Sequence, residues 1–214
     1  MGESGSGLRE RKKQRTREQL TRVSARLFAE RGFENVAVSE IATAAEVSAM
    51  TVFNYFPSKE DLVFDAHERM ADSLARAVRE RLVGWSALRG LHEAYLAALG
   101  GSDTVLTAHV SVELARLVRD SPRLRSRERE IDDEKEKALA AELAATTGAS
   151  PNDLASRLAA AQLAAAHRVL VGLMRCWMLD GVPVAEADRR AAAAATQAFG
   201  ALEPLLGGYA VREE

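Results

Sequence analysis

Residues 48–59 gather side chains suited to touching a nucleic acid: Ser48, Ala49, Met50, Thr51, Asn54, Tyr55 and Lys59. An asparagine amide donates and accepts at once, as an adenine edge requires, and a methionine can meet a thymine methyl. Asn54 is therefore the best candidate for base reading and Met50 its apolar companion. Lys59 falls where a new helix is expected to begin, and a cation beside free amides suits a phosphate oxygen.

Such a face needs a short helix held out from a small core. Ile41, Ala42, Ala45 and Val47 are the apolar positions of one short helix and the turn after it, and Val52, Phe53 and Phe56 recur at helical spacing in a second. Ser48 stands where an N-cap belongs, so its hydroxyl can satisfy an amide of the second helix. Pro57 ends that helix, because it lacks an N–H and disfavours the helical conformation at the residue before it. Ser58, Glu60 and Asp61 then form a capping-box-like restart. Two short helices joined by a tight turn can place the second in the major groove of DNA.

These residues carry a family resemblance. The segments Arg15-Thr16-Arg17-Glu18-Gln19-Leu20, Leu27-Phe28-Ala29-Glu30-Arg31-Gly32-Phe33, Ile41-Ala42, Ala45-Glu46-Val47-Ser48, Thr51-Val52-Phe53-Asn54-Tyr55-Phe56 and Ser58-Lys59-Glu60-Asp61-Leu62 resemble the DNA-binding domain of TetR-family bacterial transcriptional regulators. The resemblance implies an all-α fold with about nine helices. A three-helix DNA-binding domain over 11–57 would follow a disordered polar tail at 1–10 and precede a larger ligand-binding and dimerisation domain over 58–214. It further implies a homodimer that binds pseudo-palindromic double-stranded operator DNA as a repressor and is released by a small-molecule effector. An activator of the same fold is the alternative, and an all-helical carrier or enzyme is a more distant one. Arg15, Ser39, Ser48, Ala49, Met50, Thr51, Asn54, Tyr55 and Lys59 are the positions expected at the DNA, with Tyr55 and Lys59 on phosphates.

At two places the chain departs from the family pattern. Ala37-Val38 stands where a threonine pair is usual ahead of the first short helix, with Ser39 as a partial substitute. Glu46 stands where the helix-to-helix turn often has glycine, so a left-handed turn there would be mildly strained.

The formal net charge of -2 conceals a segregated distribution. Between Leu8 and Arg31, nine Lys and Arg residues face three glutamates. Such a cluster supplies the sequence-independent, salt-dependent part of DNA binding. Cys176 is the single cysteine, so no internal disulfide can form, and no window reaches the roughly 18 apolar residues of a membrane span. The expected compartment is the cytoplasm, with no membrane partner.

The remainder reads as helices near 58–83, 86–99, 102–119, 122–147, 151–180 and 184–206. The mixed charges from Arg123 to Lys137 read as a solvated helix face. The last two helices, 151–180 and 184–206, are apolar on more than one side, with alanines that permit close approach. The family resemblance implies that a homodimer forms through them as a four-helix bundle, the alternative being that both are interior to a monomer. His67, His92, His109 and His167 show no ligand spacing, so no metal site, cofactor or catalytic group is expected. Candidate lining residues for an effector pocket are Trp85, Tyr95, Leu99, His109, Glu113, Leu117, His167, Met174 and Trp177.

Overall fold

The computed structural model describes residues 4–100, 104–107, 111–150 and 152–213. Every regular element among them is helical, as expected. They are α1 (Ser4–Arg31), α2 (Val38–Ala44), α3 (Ala49–Tyr55), a single 3-10 turn (Glu60–Leu62), α4 (His67–Ala71), α5 (Ser73–Glu80) and α6 (Ala87–Ala98), followed by α7 (Thr104–Thr107), α8 (Val112–Asp120), α9 (Pro122–Thr147), α10 (Leu154–Leu179) and α11 (Val184–Leu206). No helix among the described residues is long and apolar enough to cross a membrane.

Three boundaries differ from the sequence reading. The first helix begins at Ser4, so the described part of the expected polar tail is helical. The helix expected over 58–83 is broken into the 3-10 turn, α4 and α5. Leu62 and Phe64 are both buried, and positions two apart on one continuous helix lie about 200° apart. A break between them lets both reach one core. Downstream, the hydroxyl of Ser73 donates to the Met70 carbonyl at 2.7 Å where α4 gives way to α5. The helix expected over 102–119 is likewise divided, because Ser111 Oγ accepts the Leu114 amide and starts α8 afresh. These divisions raise the count from about nine to eleven α-helices among the described residues.

The chain separates into two compact units, one of residues 1–67 and 116–127, the other of residues 68–115 and 128–214. The first has a core of Leu20, Phe28, Phe33, Ile41, Ala45, Val52, Phe56 and Leu62. Its inclusion of 116–127, remote in sequence, rests on specific polar contacts. Ser121 Oγ donates to Glu34 at 2.7 Å, and Arg127 pairs with Asp61 at 3.1 Å with both side chains largely buried.

In the second unit α11 presents Ala187, Ala191, Ala195 and Phe199 at every fourth position, all buried. This stripe packs with Ala160, Leu163, Leu170 and Met174 of α10 and Leu88, Leu91 and Tyr95 of α6. Alanine at the contact lets helix axes approach closely, and the larger residues fill the layer beyond. The mixed-charge run is less solvated than expected. Ile131 is fully buried, Lys135 is almost so and pairs with Asp132 at 2.9 Å, and Glu128 takes a fork of bonds from Arg175.

The C-terminus closes this unit on itself. Gly84 N–H donates to the Arg212 carbonyl and Arg212 N–H to the Trp85 carbonyl, at 2.9 and 3.0 Å. The buried Arg81 guanidinium donates to the carbonyls of Val78, Trp85 and Ala210.

Candidate nucleic-acid interface

The helix-turn-helix is built by local chemistry. Helix α2 ends in a six-residue closure: the Val47 amide donates to the Ala42 carbonyl at 2.9 Å and the Glu46 amide to Thr43 at 3.1 Å. That closure requires a left-handed residue between them, and Glu46 supplies it at φ 57. Gln19 of α1 braces the same turn by donating to the Ala45 carbonyl at 2.9 Å.

Ser48 caps α3 as its position foretold, accepting the Thr51 amide at 3.0 Å, with the Thr51 hydroxyl 2.8 Å away. Below α3 lie Val52 and Phe56, buried four apart. Ala49, Met50 and Asn54 are exposed, and Thr51 and Tyr55 are half-buried. Phe53 was expected to pack inward with Val52 and Phe56, yet it stands 46% exposed beside Met50 at 69%. One residue advances a helix by about 100°, so a side chain next to buried Val52 turns off the core face. The outward surface of α3 therefore combines one amide with two large apolar groups.

The start of α2 is only half capped. Ala37 is its N-cap and has no side-chain acceptor. Glu40 reaches back to the Ala37 amide at 2.7 Å and also pairs with Arg31 at 2.7 Å. The amide bond and then the arginine hold its carboxyl below the usual glutamate range. Ser39 is exposed and lies inside the helix, so it does not replace the missing cap.

Lys59 is more enclosed than a free phosphate ligand would be. Its ammonium donates to the Phe33 carbonyl and lies 4.2 Å from the centre of the Phe33 ring. Burial is the main cause that pulls its pKa below the ordinary lysine value. Instead of a long helix, a three-residue 3-10 turn follows it, tied by Ser58 Oγ donating to Asp61 at 2.7 Å.

The basic helix α1 divides its arginines between two tasks. Arg11, Lys12, Lys13, Arg15, Arg22 and Arg26 are exposed. Arg17 is structural: it pairs with Asp65 at 2.6 Å and lies 4.8 Å over the Phe56 ring. No sequence spacing pointed to Asp65, whose partner is 48 positions away.

The effector candidates scatter. Tyr95, His167 and Met174 are buried together, with the Tyr95 and His167 rings edge-on at 6.3 Å, and Trp177 packs half-buried against the same core. Leu99 also borders that core. Trp85 is instead held at the C-terminal closure, with Arg89 stacked on it at 4.5 Å. Glu113 is exposed on α8 and Leu117 falls in the first unit, so neither belongs to the buried group. His109 lies outside the described residues.

Residues 20–66, which span this helix-turn-helix, match the family described as bacterial regulatory proteins, tetR family. The HTH-type transcriptional regulator TcmR of Streptomyces glaucescens is 32% identical over 154 residues, covering 70% of this chain and 68% of that protein. The chain belongs to the TetR family. Over 47 residues the TetR-family chain is also 47% identical to the HTH-type transcriptional regulator LuxR of Vibrio harveyi, covering 22% of this chain and 23% of that one. Among solved structures, Salmonella enterica GusR has the same fold at a TM-score of 0.53 and 24% identity, covering 89% of this chain and 95% of GusR. This TetR-family protein is a DNA-binding transcriptional regulator.

Proposed function

We propose that the protein is a dimeric, effector-released repressor acting in the cytoplasm, with α3 as its recognition helix. The observation that carries this reading is the exposed surface of α3, backed by a capped and braced turn and accompanied by the exposed cations of α1. Asn54 reads a base edge, and Ala49, Met50 and Phe53 offer apolar contact to thymine methyls. Arg15, Ser39, Ser48, Thr51, Tyr55 and Lys59 engage the backbone. Lys59 can do so without leaving Phe33, because an ammonium has three donors and the carbonyl uses one.

The second unit serves as the effector-binding and dimerisation body. Helix α10 exposes Leu158, Ala165, Val169, Gly172 and Cys176 along one face, and α11 exposes Ala193, Gly200, Ala201 and Leu205. An apolar face of this length on a body that already has its own core supports a second copy as its cover. In a dimer the two recognition helices must meet half-sites spaced by whole turns of DNA, ~34–36 Å apart or a multiple of it. An effector that alters their separation therefore weakens operator binding.

A gel-shift series on DNA from upstream of the protein's own gene tests the reading. The expected result is a specific complex whose affinity falls steeply with salt. Arg15→Ala should lower the log–log salt slope by about 1 and Asn54→Ala should relax sequence preference. Absence of a specific band at moderate salt, with Asn54→Ala indistinguishable from the parent, would sink it.

A further inference from the structure

The interior of the second unit holds polar side-chain atoms without a hydrogen-bond partner among the described residues. Tyr95 is 1% exposed, and its hydroxyl has no hydrogen-bond partner among the described residues. One helical turn earlier on α6, His92 Nε2 is also buried and unpartnered among them, and its ring lies 5.3 Å from Phe199 of α11. An unmet buried hydroxyl is destabilising, and most buried polar side-chain atoms in folded proteins are paired. Two unmet groups three residues apart on one helix face point to a third participant.

The chemistry of that participant follows from the surroundings. Met174, Leu163 and Phe199 belong to the same core cluster as Tyr95 and make its surroundings apolar. The Tyr95 hydroxyl keeps its proton, since burial and then the charge of Asp188 push its pKa up to about 12. It is therefore a donor at neutral pH. Burial pulls the neighbouring His167 down to about 4, so that ring is neutral. Its Nε2 meets the Leu106 carbonyl at 2.8 Å, an acceptor only, which fixes the proton on Nε2. Neither aromatic group offers a charge to an ionic ligand, and the charged groups nearby are already engaged: Asp188, which acts on Tyr95, has a partner of its own, and Lys135, which acts on His167, pairs with Asp132 at 2.9 Å.

We propose that Tyr95 and His92 anchor an uncharged effector with an apolar frame and a carbonyl-type oxygen, the oxygen accepting from the Tyr95 hydroxyl. This rests on the effector-released regulator reading above and specifies its ligand class. A carboxylate of the same frame would lose its hydration in the interior beside the Asp188 carboxylate. A bare hydrocarbon would leave both polar atoms unmet.

A matched set of probes on the full-length protein decides the matter: 2-acetylnaphthalene, naphthalene, 2-naphthoate and 2-naphthylmethylammonium, measured by calorimetry and thermal shift. The ketone should bind about tenfold more tightly than naphthalene, the worth of one good hydrogen bond, and both ions more weakly. Tyr95→Phe should bind ketone and hydrocarbon equally while keeping its affinity for naphthalene, which separates a lost anchor from a lost fold. His92→Leu should narrow the ketone preference without altering naphthalene binding. The proposal is overturned if the ketone has no advantage in the parent, if Tyr95→Phe retains it, if an ion binds best, or if no probe binds. Operator binding without ligand, measured on the same samples, tells which idea has failed: intact binding with a failed probe series removes the ligand class alone, and its loss removes the regulator reading.

Discussion

Arg127 holds Asp61 at 3.1 Å, joining a residue from the start of α9 to the 3-10 turn that follows the recognition helix. The same carboxylate accepts from the Ser58 amide and hydroxyl at 3.0 and 2.7 Å. It therefore fixes the exit of the DNA-reading motif against a segment distant in sequence. Removing the guanidinium leaves a carboxylate that is 6% exposed with Ser58 as its remaining partner among the described residues. Arg127→Ala should lower stability by about 2 kcal/mol, since an uncompensated buried charge is expensive. Denaturant melts of the full chain check it; an unchanged midpoint would show the pair to be dispensable.

Glu46 sits at φ 57, a conformation that costs a residue with a Cβ roughly 1–2 kcal/mol relative to glycine. Glycine loses part of that advantage through its freedom in the unfolded chain. Glu46→Gly should therefore raise stability by about 0.5–1 kcal/mol. It also removes an exposed negative charge from the turn before α3, so operator affinity should rise more at low salt than at high salt. A variant less stable than the parent would contradict the strain.

The helix-turn-helix was largely legible in the sequence because its determinants are local. Ser48 caps three residues ahead, Glu46 closes the turn and Pro57 stops the helix, each within one turn of what it governs. What local patterns could not show rests on long-range contacts. Lys59 folds onto a carbonyl 26 positions away, Arg17 turns from the arm to Asp65, and burial of both Leu62 and Phe64 breaks an expected helix. Periodicity describes one face of one helix and carries no information about a partner so remote. Trp85 illustrates the same limit: an aromatic near an apolar stripe was legible, but its place at the C-terminal closure is set by Arg212.

His167 gives stability a dependence on acidity. Its neutral ring is buried with a pKa of about 4, compared with 6.5 in an open chain. Above about pH 6.5 neither state takes up the proton, and the folded form keeps its full stability. As pH falls toward 4 the unfolded chain is protonated first, so stability declines, by up to about 3 kcal/mol for this group. His167→Gln should flatten that part of the curve. The difference between parent and variant melting temperatures, followed from pH 7.5 to 4.5, isolates it from the carboxylates; a constant difference would exclude the histidine as the cause.

Gly172 in α10 and Gly200 in α11 are exposed within helices, and a Cβ at either would meet nothing within 4 Å inside the protomer. Glycine in a helix interior is about 1 kcal/mol worse than alanine, so one chain alone gains nothing by it. The proposed dimer would explain the choice, because a missing Cβ admits the backbone of a second copy packed against these helices. Gly172→Ala and Gly200→Ala should each strengthen the isolated helix while weakening self-association, a combination that misfolding cannot produce. Sedimentation equilibrium should show at least a tenfold rise in the dimer dissociation constant with an undiminished melting temperature under monomeric conditions. If both variants associate like the parent, the interface lies on another face of these helices.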